Sequence, residues 1–104
     1  MISKLMYDDE RGVWSVTIEG DLDVYHAPNV ISMIESAYQQ HPAAVEIDCK
    51  GLEYVDSMGL GALVKINSTV KESGAIRLMN LKQRVYKLFE ITHLDTLLKI
   101  EVAP

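Results

Sequence analysis

Hydrophobic and polar positions change period several times along the chain, and each change predicts an element. Val13–Ile18 reads Val-Trp-Ser-Val-Thr-Ile, an alternation rich in β-branched and aromatic residues that suits a pleated strand. Ile2–Tyr7 gives a weaker partner strand, with the turn between them at Arg11-Gly12. Gly20-Asp21-Leu22-Asp23 breaks the alternation and predicts a short acidic loop, after which Pro28 suits the first turn of a helix. Ala27, Val30, Ile31, Ile34, Ala37 and Tyr38 then recur at steps of three and four, which is one buried helical face.

The second half repeats the alternation of strand and helix. Gln39–Pro42 breaks the first helix, and Ala43–Cys49 predicts a central strand closed by polar Lys50-Gly51. Leu52–Val55 leads into Asp56 and Ser57, and Leu60, Leu63, Val64 and Val70 mark a second helix ending near Ser73-Gly74. Ile76–Met79 predicts another strand. Asn80 with Gln83 has the spacing of a capping box for a third helix, whose stripe is Leu81, Val85, Leu88 and Phe89. Leu97–Val102 closes with strand character. Two strands followed by alternating helices and strands predict an α/β layer fold, with right-handed crossovers making the strands near Ala43 and Ile76 parallel.

Length and composition narrow the functional classes. A chain of 104 residues is long enough for one core and predicts one domain over 1–104. Its 48% apolar and 24% charged residues are those of a folded globular protein. No apolar stretch reaches membrane-helix length and Met1–Glu10 has no signal-peptide character, so the expected location is the cytoplasm, without membrane insertion. Cys49 is the only cysteine, which excludes an internal disulfide and predicts core packing. A formal charge of −5 argues against direct nucleic-acid binding and favours a protein partner.

The chemistry concentrates at Asp56-Ser57-Met58-Gly59-Leu60-Gly61, a strand-to-helix turn. Ser57 is positioned to cap the helix, and Gly59 and Gly61 leave little bulk beside it. A phosphate on Ser57 adds roughly −1.5 to −2 of charge, which a helix start tolerates because its free N–H groups and dipole favour an anion. Catalytic readings fit less well. The nucleophile elbow requires glycine where Val55 stands, and no spacing ties His26, His41 or His93 to Ser57 as a base. Neither phosphate-loop motif is present, Asp21, Asp23, Asp48 and Asp56 match no calcium loop, and no cofactor is expected. Asn67-Ser68-Thr69 matches a glycosylation acceptor only formally, inside a predicted helix.

The run Ile47-Asp48-Cys49-Lys50-Gly51-Leu52-Glu53-Tyr54-Val55-Asp56-Ser57-Met58-Gly59-Leu60-Gly61-Ala62-Leu63 resembles the signature of STAS domains, specifically of bacterial anti-sigma factor antagonists. Gly20-Asp21-Leu22-Asp23 with Ala27 resembles the acidic loop of that family, and Ser73-Gly74 through Leu78, then Val85, Leu88, Phe89, Thr92 and Leu94, its C-terminal third. The resemblance implies a STAS fold, a mixed sheet of four to five strands flanked by about four helices. It implies a binding protein, not an enzyme: unphosphorylated, it binds an anti-sigma factor with a histidine-kinase-like serine kinase fold and frees the sigma factor. Phosphorylation of Ser57 switches binding off, and a metal-dependent serine phosphatase restores it. By the same resemblance Asp21, Asp23, Asp56, Ser57, Met58, Gly59 and Leu60 form the contact surface. The rival reading is a STAS subunit of a lipid transporter or a scaffold of a stress-signalling complex. Two positions depart from the family: Met58 replaces a second hydroxyl, and His93 stands where Thr-Gly-Leu is frequent, which implies a backbone that does not need glycine there.

Overall fold

The computed structural model describes residues 1–104. Its elements run β1 (Ile2–Asp8), β2 (Val13–Leu22), α1 (Ala27–Gln40), β3 (Ala44–Val55), α2 (Ser57–Val70), β4 (Arg77–Leu81), α3 (Gln83–Ile91) and β5 (Lys99–Val102). Two single 3-10 turns, Lys71–Ser73 and Leu94–Thr96, complete it, so three α-helices take the place of the expected four. The five strands form one sheet in sequence order; β1 pairs antiparallel with β2, and β2 through β5 are parallel. Because strand order follows chain order and parallel crossovers are right-handed, all three helices lie on one side of the sheet.

That asymmetry explains the burial pattern. Val16 and Ile18 of β2, Val45, Ile47 and Cys49 of β3, and Leu78 of β4 point into the helices and are fully buried. Val30 and Ile34 of α1, Leu63, Ile66 and Val70 of α2, and Val85 and Phe89 of α3 close the same core. The Cys49 thiol is pushed up to about 12, chiefly by burial and then by the charge of Asp48. A thiol held protonated this firmly packs as a small apolar group and has no nucleophilic role. On the opposite face of the sheet the buried Glu46 carboxylate is held by Arg11 at 2.5 and 2.7 Å. Asn67 is also buried and accepts the N–H of Ile76 at 2.8 Å, so the formal glycosylation acceptor is a structural amide that fixes the approach to β4.

Several boundaries differ from the expectation, because pairing across the sheet extends the strands past local turn signals. Gly20-Asp21-Leu22 is not a loop; β2 carries these residues on beside β3, with Gly20 at φ 79° in a conformation that glycine supplies readily. Likewise β3 does not stop at Lys50-Gly51 but runs to Val55, its ladder with β2 irregular on either side of Gly20. Asn80 and Leu81 belong to β4, not to α3. Asn80 has φ 58° and donates to Asp48 at 3.2 Å, while Lys82 occupies the cap position without a side-chain capping bond. His93 also sits at φ 60°, so this backbone does use the conformation for which the family favours glycine. The side chain is exposed, so Cβ crowding is the main consequence of its presence. His93→Gly should therefore raise stability by roughly 0.5–1 kcal/mol in denaturant unfolding, the relief of left-handed strain outweighing added unfolded-state entropy.

Candidate functional site

The site is built where β2 and β3 end side by side, Asp21 opposite Tyr54 and Leu22 opposite Val55. The chain leaves β3 at Asp56 and enters α2 at Ser57. Asp56, not Ser57, is the helix cap: its Oδ1 accepts the N–H of Gly59 at 2.9 Å, and its main-chain oxygen accepts the N–H of Leu60. Its Oδ2 accepts the N–H of Val24 at 3.2 Å, and its own N–H donates to the Leu22 carbonyl. One carboxylate thus ties the end of β2, the loop after it and the first turn of α2 together. The Ser57 hydroxyl is left exposed and free of any capping duty.

Gly59 completes the junction. It is buried, and a Cβ there would overlap the Leu22 carbonyl oxygen, a backbone atom that has no room to move. Gly61 is different: it is exposed, and a Cβ would meet nothing. The bareness around Ser57 is therefore due to Gly61, whereas Gly59 is glycine because helix and strand touch. The N–H groups of Ser57 and Met58 have no acceptor within the chain, so two donors remain at the start of α2.

The acidic residues before α1 divide by role. Asp23 closes its own turn, accepting the N–H groups of Tyr25 and His26 at 3.1 Å each and meeting His26 Nδ1 at 2.7 Å. Burial pulls its carboxyl upward as the largest single influence. Bonds and charge from His26, with the Tyr25 N–H, together outweigh burial and hold it below the usual aspartate range. Asp21 is exposed and makes no side-chain bond. Met58 is 53% exposed, which settles its place at the surface and not beneath the turn; Leu60 is half-buried against the core. Asp48 is bound to Asn80 and to the N–H of Lys50.

Sequence reasoning missed three residues at the Ser57 end of the sheet. Tyr25 is 86% exposed, Tyr54 54% and Val24 47%; Val24 and Tyr25 lie in the loop that Asp56 binds, Tyr54 lies near the end of β3 opposite Asp21, and with Met58 they make an exposed apolar group at this end of the sheet. Exposed aromatic residues beside Gly20-Asp21-Leu22-Asp23 and before Asp56 were the available signal. A second feature had none: Glu53 Oε1 meets Lys82 Nζ at 2.9 Å and its Oε2 meets Arg84 at 2.6 Å, across 29 and 31 residues of chain. The Lys82 bond and charge, then Arg84, hold the Glu53 carboxyl below its usual range and pin the start of α3 to β3. His41 packs against Tyr7, and His93 follows α3, so neither serves the serine.

The site is thus an exposed serine at the N-terminus of a helix, at the carboxyl ends of parallel strands of an α/β sheet, with acidic and exposed apolar residues on the neighbouring loop and strand end. The chain belongs to the STAS domain family, whose model matches residues 5–103. It is 37% identical over 86 residues to the anti-sigma-B factor antagonist of Bacillus subtilis, covering 82% of this chain and 78% of that one. Among solved structures it resembles an anti-sigma-factor antagonist (STAS) domain protein from Planctomyces limnophilus, with TM-score 0.81 at 20% identity over 99% of this chain and 91% of that one. It also resembles the Bacillus cell fate determinant SpoIIAA in its phosphorylated form, with TM-score 0.71 at 19% identity over 96% and 90% of the two chains. No helix is long and apolar enough to cross a membrane.

Two stability measurements check this geometry. Gly59→Ala should cost roughly 2–3 kcal/mol or more through its clash with the strand backbone. Gly61→Ala should gain about 0.5–1 kcal/mol, since alanine is the better helix former and meets nothing. For Asp23, the lowered carboxyl contributes stability above its unfolded pKa and loses it as pH falls through the folded value. The stability advantage of wild type over Asp23→Asn should hold near neutrality and shrink below the ordinary aspartate range in urea melts run against pH.

Proposed function

We propose that this chain is an anti-sigma factor antagonist whose binding is switched off by phosphorylation of Ser57. The observation that carries the reading is the division of labour at the start of α2: Asp56 caps the helix, and Ser57 offers a free, exposed hydroxyl. The relative from Bacillus subtilis, which carries the name anti-sigma-B factor antagonist, supports it. In this reading Asp21, Ser57, Met58 and the exposed apolar residues Val24, Tyr25 and Tyr54 contact the partner, while Asp23, Asp56, Gly59 and Leu60 hold that surface in shape. The partner is an anti-sigma factor with a histidine-kinase-like serine kinase fold, which takes its phosphate from ATP; a metal-dependent serine phosphatase reverses the modification. The chain itself acts by binding and not by catalysis.

The switch follows from unequal tolerance of charge. The two free N–H groups and the positive end of α2 accommodate a phosphate on Ser57 with a local preference of roughly 0.3–1 kcal/mol, so the fold persists. A partner surface shaped for a neutral hydroxyl among carboxylates meets a dianion instead. Desolvation and repulsion of an unpaired interfacial charge cost on the order of 2–5 kcal/mol of binding.

Incubation with the candidate kinase and ATP, followed by mass mapping, should place phosphate on Ser57 alone. Ser57→Ala should keep its affinity for the kinase, and Ser57→Asp should lose about tenfold or more while melting within a few degrees of wild type. Tight binding by the phosphorylated protein would reverse the proposed direction of the switch.

A further inference from the structure

At the far end of β3 from Ser57, a polar cavity of about 280 Å³ opens at the amino-terminal edge of the parallel strands. Arg11, Glu46, Arg77 and Lys99 line it, together with Gly74 and Ala75. The register explains the gathering. Ser15, Glu46, Arg77 and Lys99 are successive cross-strand partners on β2, β3, β4 and β5, so their side chains share one face in one row. Arg11 reaches this row from the β1–β2 turn through its paired bonds to Glu46.

The charges do not cancel. Glu46 is buried and both its oxygens are bonded to Arg11, whose guanidinium retains further N–H donors. Arg77 stands 3.9 Å from the same carboxylate, beyond hydrogen-bonding distance, and Lys99 has no ion pair. Three cations against Glu46 and the more distant Asp8, which accepts the Arg11 main-chain N–H, leave a local excess of positive charge in a chain whose net charge is −5. The Arg11 and Arg77 side chains are 54% and 44% exposed, so the cations are open to a ligand. Ala75 adds a main-chain N–H that has no acceptor in the chain.

The geometry points to a binding site for a phosphate dianion, free or as the monoester of a small metabolite, held by Arg77, Lys99 and the outer donors of Arg11. Guanidinium forks suit tetrahedral oxyanions, and the cavity is several times the roughly 30 Å³ that one water occupies in the liquid. Glu46 lines the cavity too, but both its oxygens are taken by Arg11, so its part is to fix that guanidinium in place. The site does not rest on the Ser57 reading, being built from other elements at the opposite end of the sheet.

The test is a proton–nitrogen correlation NMR titration with inorganic phosphate and, separately, sn-glycerol phosphate, at an ionic strength held constant with sodium chloride. Saturable shifts confined to the amides of Gly74–Arg77, Lys99 and Arg11 are expected, with affinity about tenfold weaker in Arg77→Gln and in Lys99→Gln. Thermal melts confirm that both variants fold, since each replaces a half-exposed or exposed side chain. Tighter binding of either probe supports the site and assigns it to the free ion or to the monoester. Shifts that never saturate, that cluster at Ser57–Gly59 instead, or that persist unchanged in both variants would overturn it.

Discussion

Three backbone segments have to meet at the carboxyl end of the sheet, and a single carboxylate joins them. Asp56 takes the N–H groups of Gly59 and Val24 on separate oxygens while its own N–H reaches Leu22. Each of those donors lies at an element's end, where a buried or half-buried N–H without an acceptor is costly. The approach of α2 to β2 that makes this possible depends in turn on the missing side chain at Gly59. The exposed serine is a product of this arrangement, since a capping aspartate one residue earlier leaves its hydroxyl without a structural duty.

The one-sided architecture separates the molecule into surfaces with different chemistry. Helices cover one face of the sheet and enclose the buried apolar core against it. The bare face carries charged cross-strand rows, with Glu46 anchored beneath Arg11. At the strand ends, Val24, Tyr25, Tyr54 and Met58 remain exposed beside carboxylates. Aromatic side chains present large contact area at low conformational cost, which is the composition of a protein-binding surface more than of a small-molecule cleft. The cavities along the sheet lie elsewhere, the more basic of them at the opposite end.

The particular departures from expectation share a cause. Gly20 and Lys50-Gly51 carry local signals for a turn, yet both lie within strands because β2 and β3 hydrogen-bond past them. Asn80 carries a capping signal, yet its bond goes to Asp48 on the neighbouring strand. Pairing across the sheet supplies bonds that outweigh local propensity, and no local window contains the partner. His93 shows the converse, a residue held in a left-handed conformation by the turn between α3 and β5.

The sequence by itself determined the alternation of strands and helices, the core stripes of α1 and α2, the place of Ser57 at a strand-to-helix turn, and the family. These are carried by short-range periodicity and by one contiguous motif. Only the tertiary structure decided that Asp56 is the cap, that Gly59 is fixed by Leu22, that Met58 faces outward, and that Tyr25, Tyr54 and Val24 stay exposed at the same end of the sheet. The basic row of Arg11, Arg77 and Lys99 was likewise invisible in the chain. Each of these depends on atoms more than 20 residues apart, or on which side of a packed surface a residue falls. Such relations are set by register and packing, which exist only once the sheet has formed.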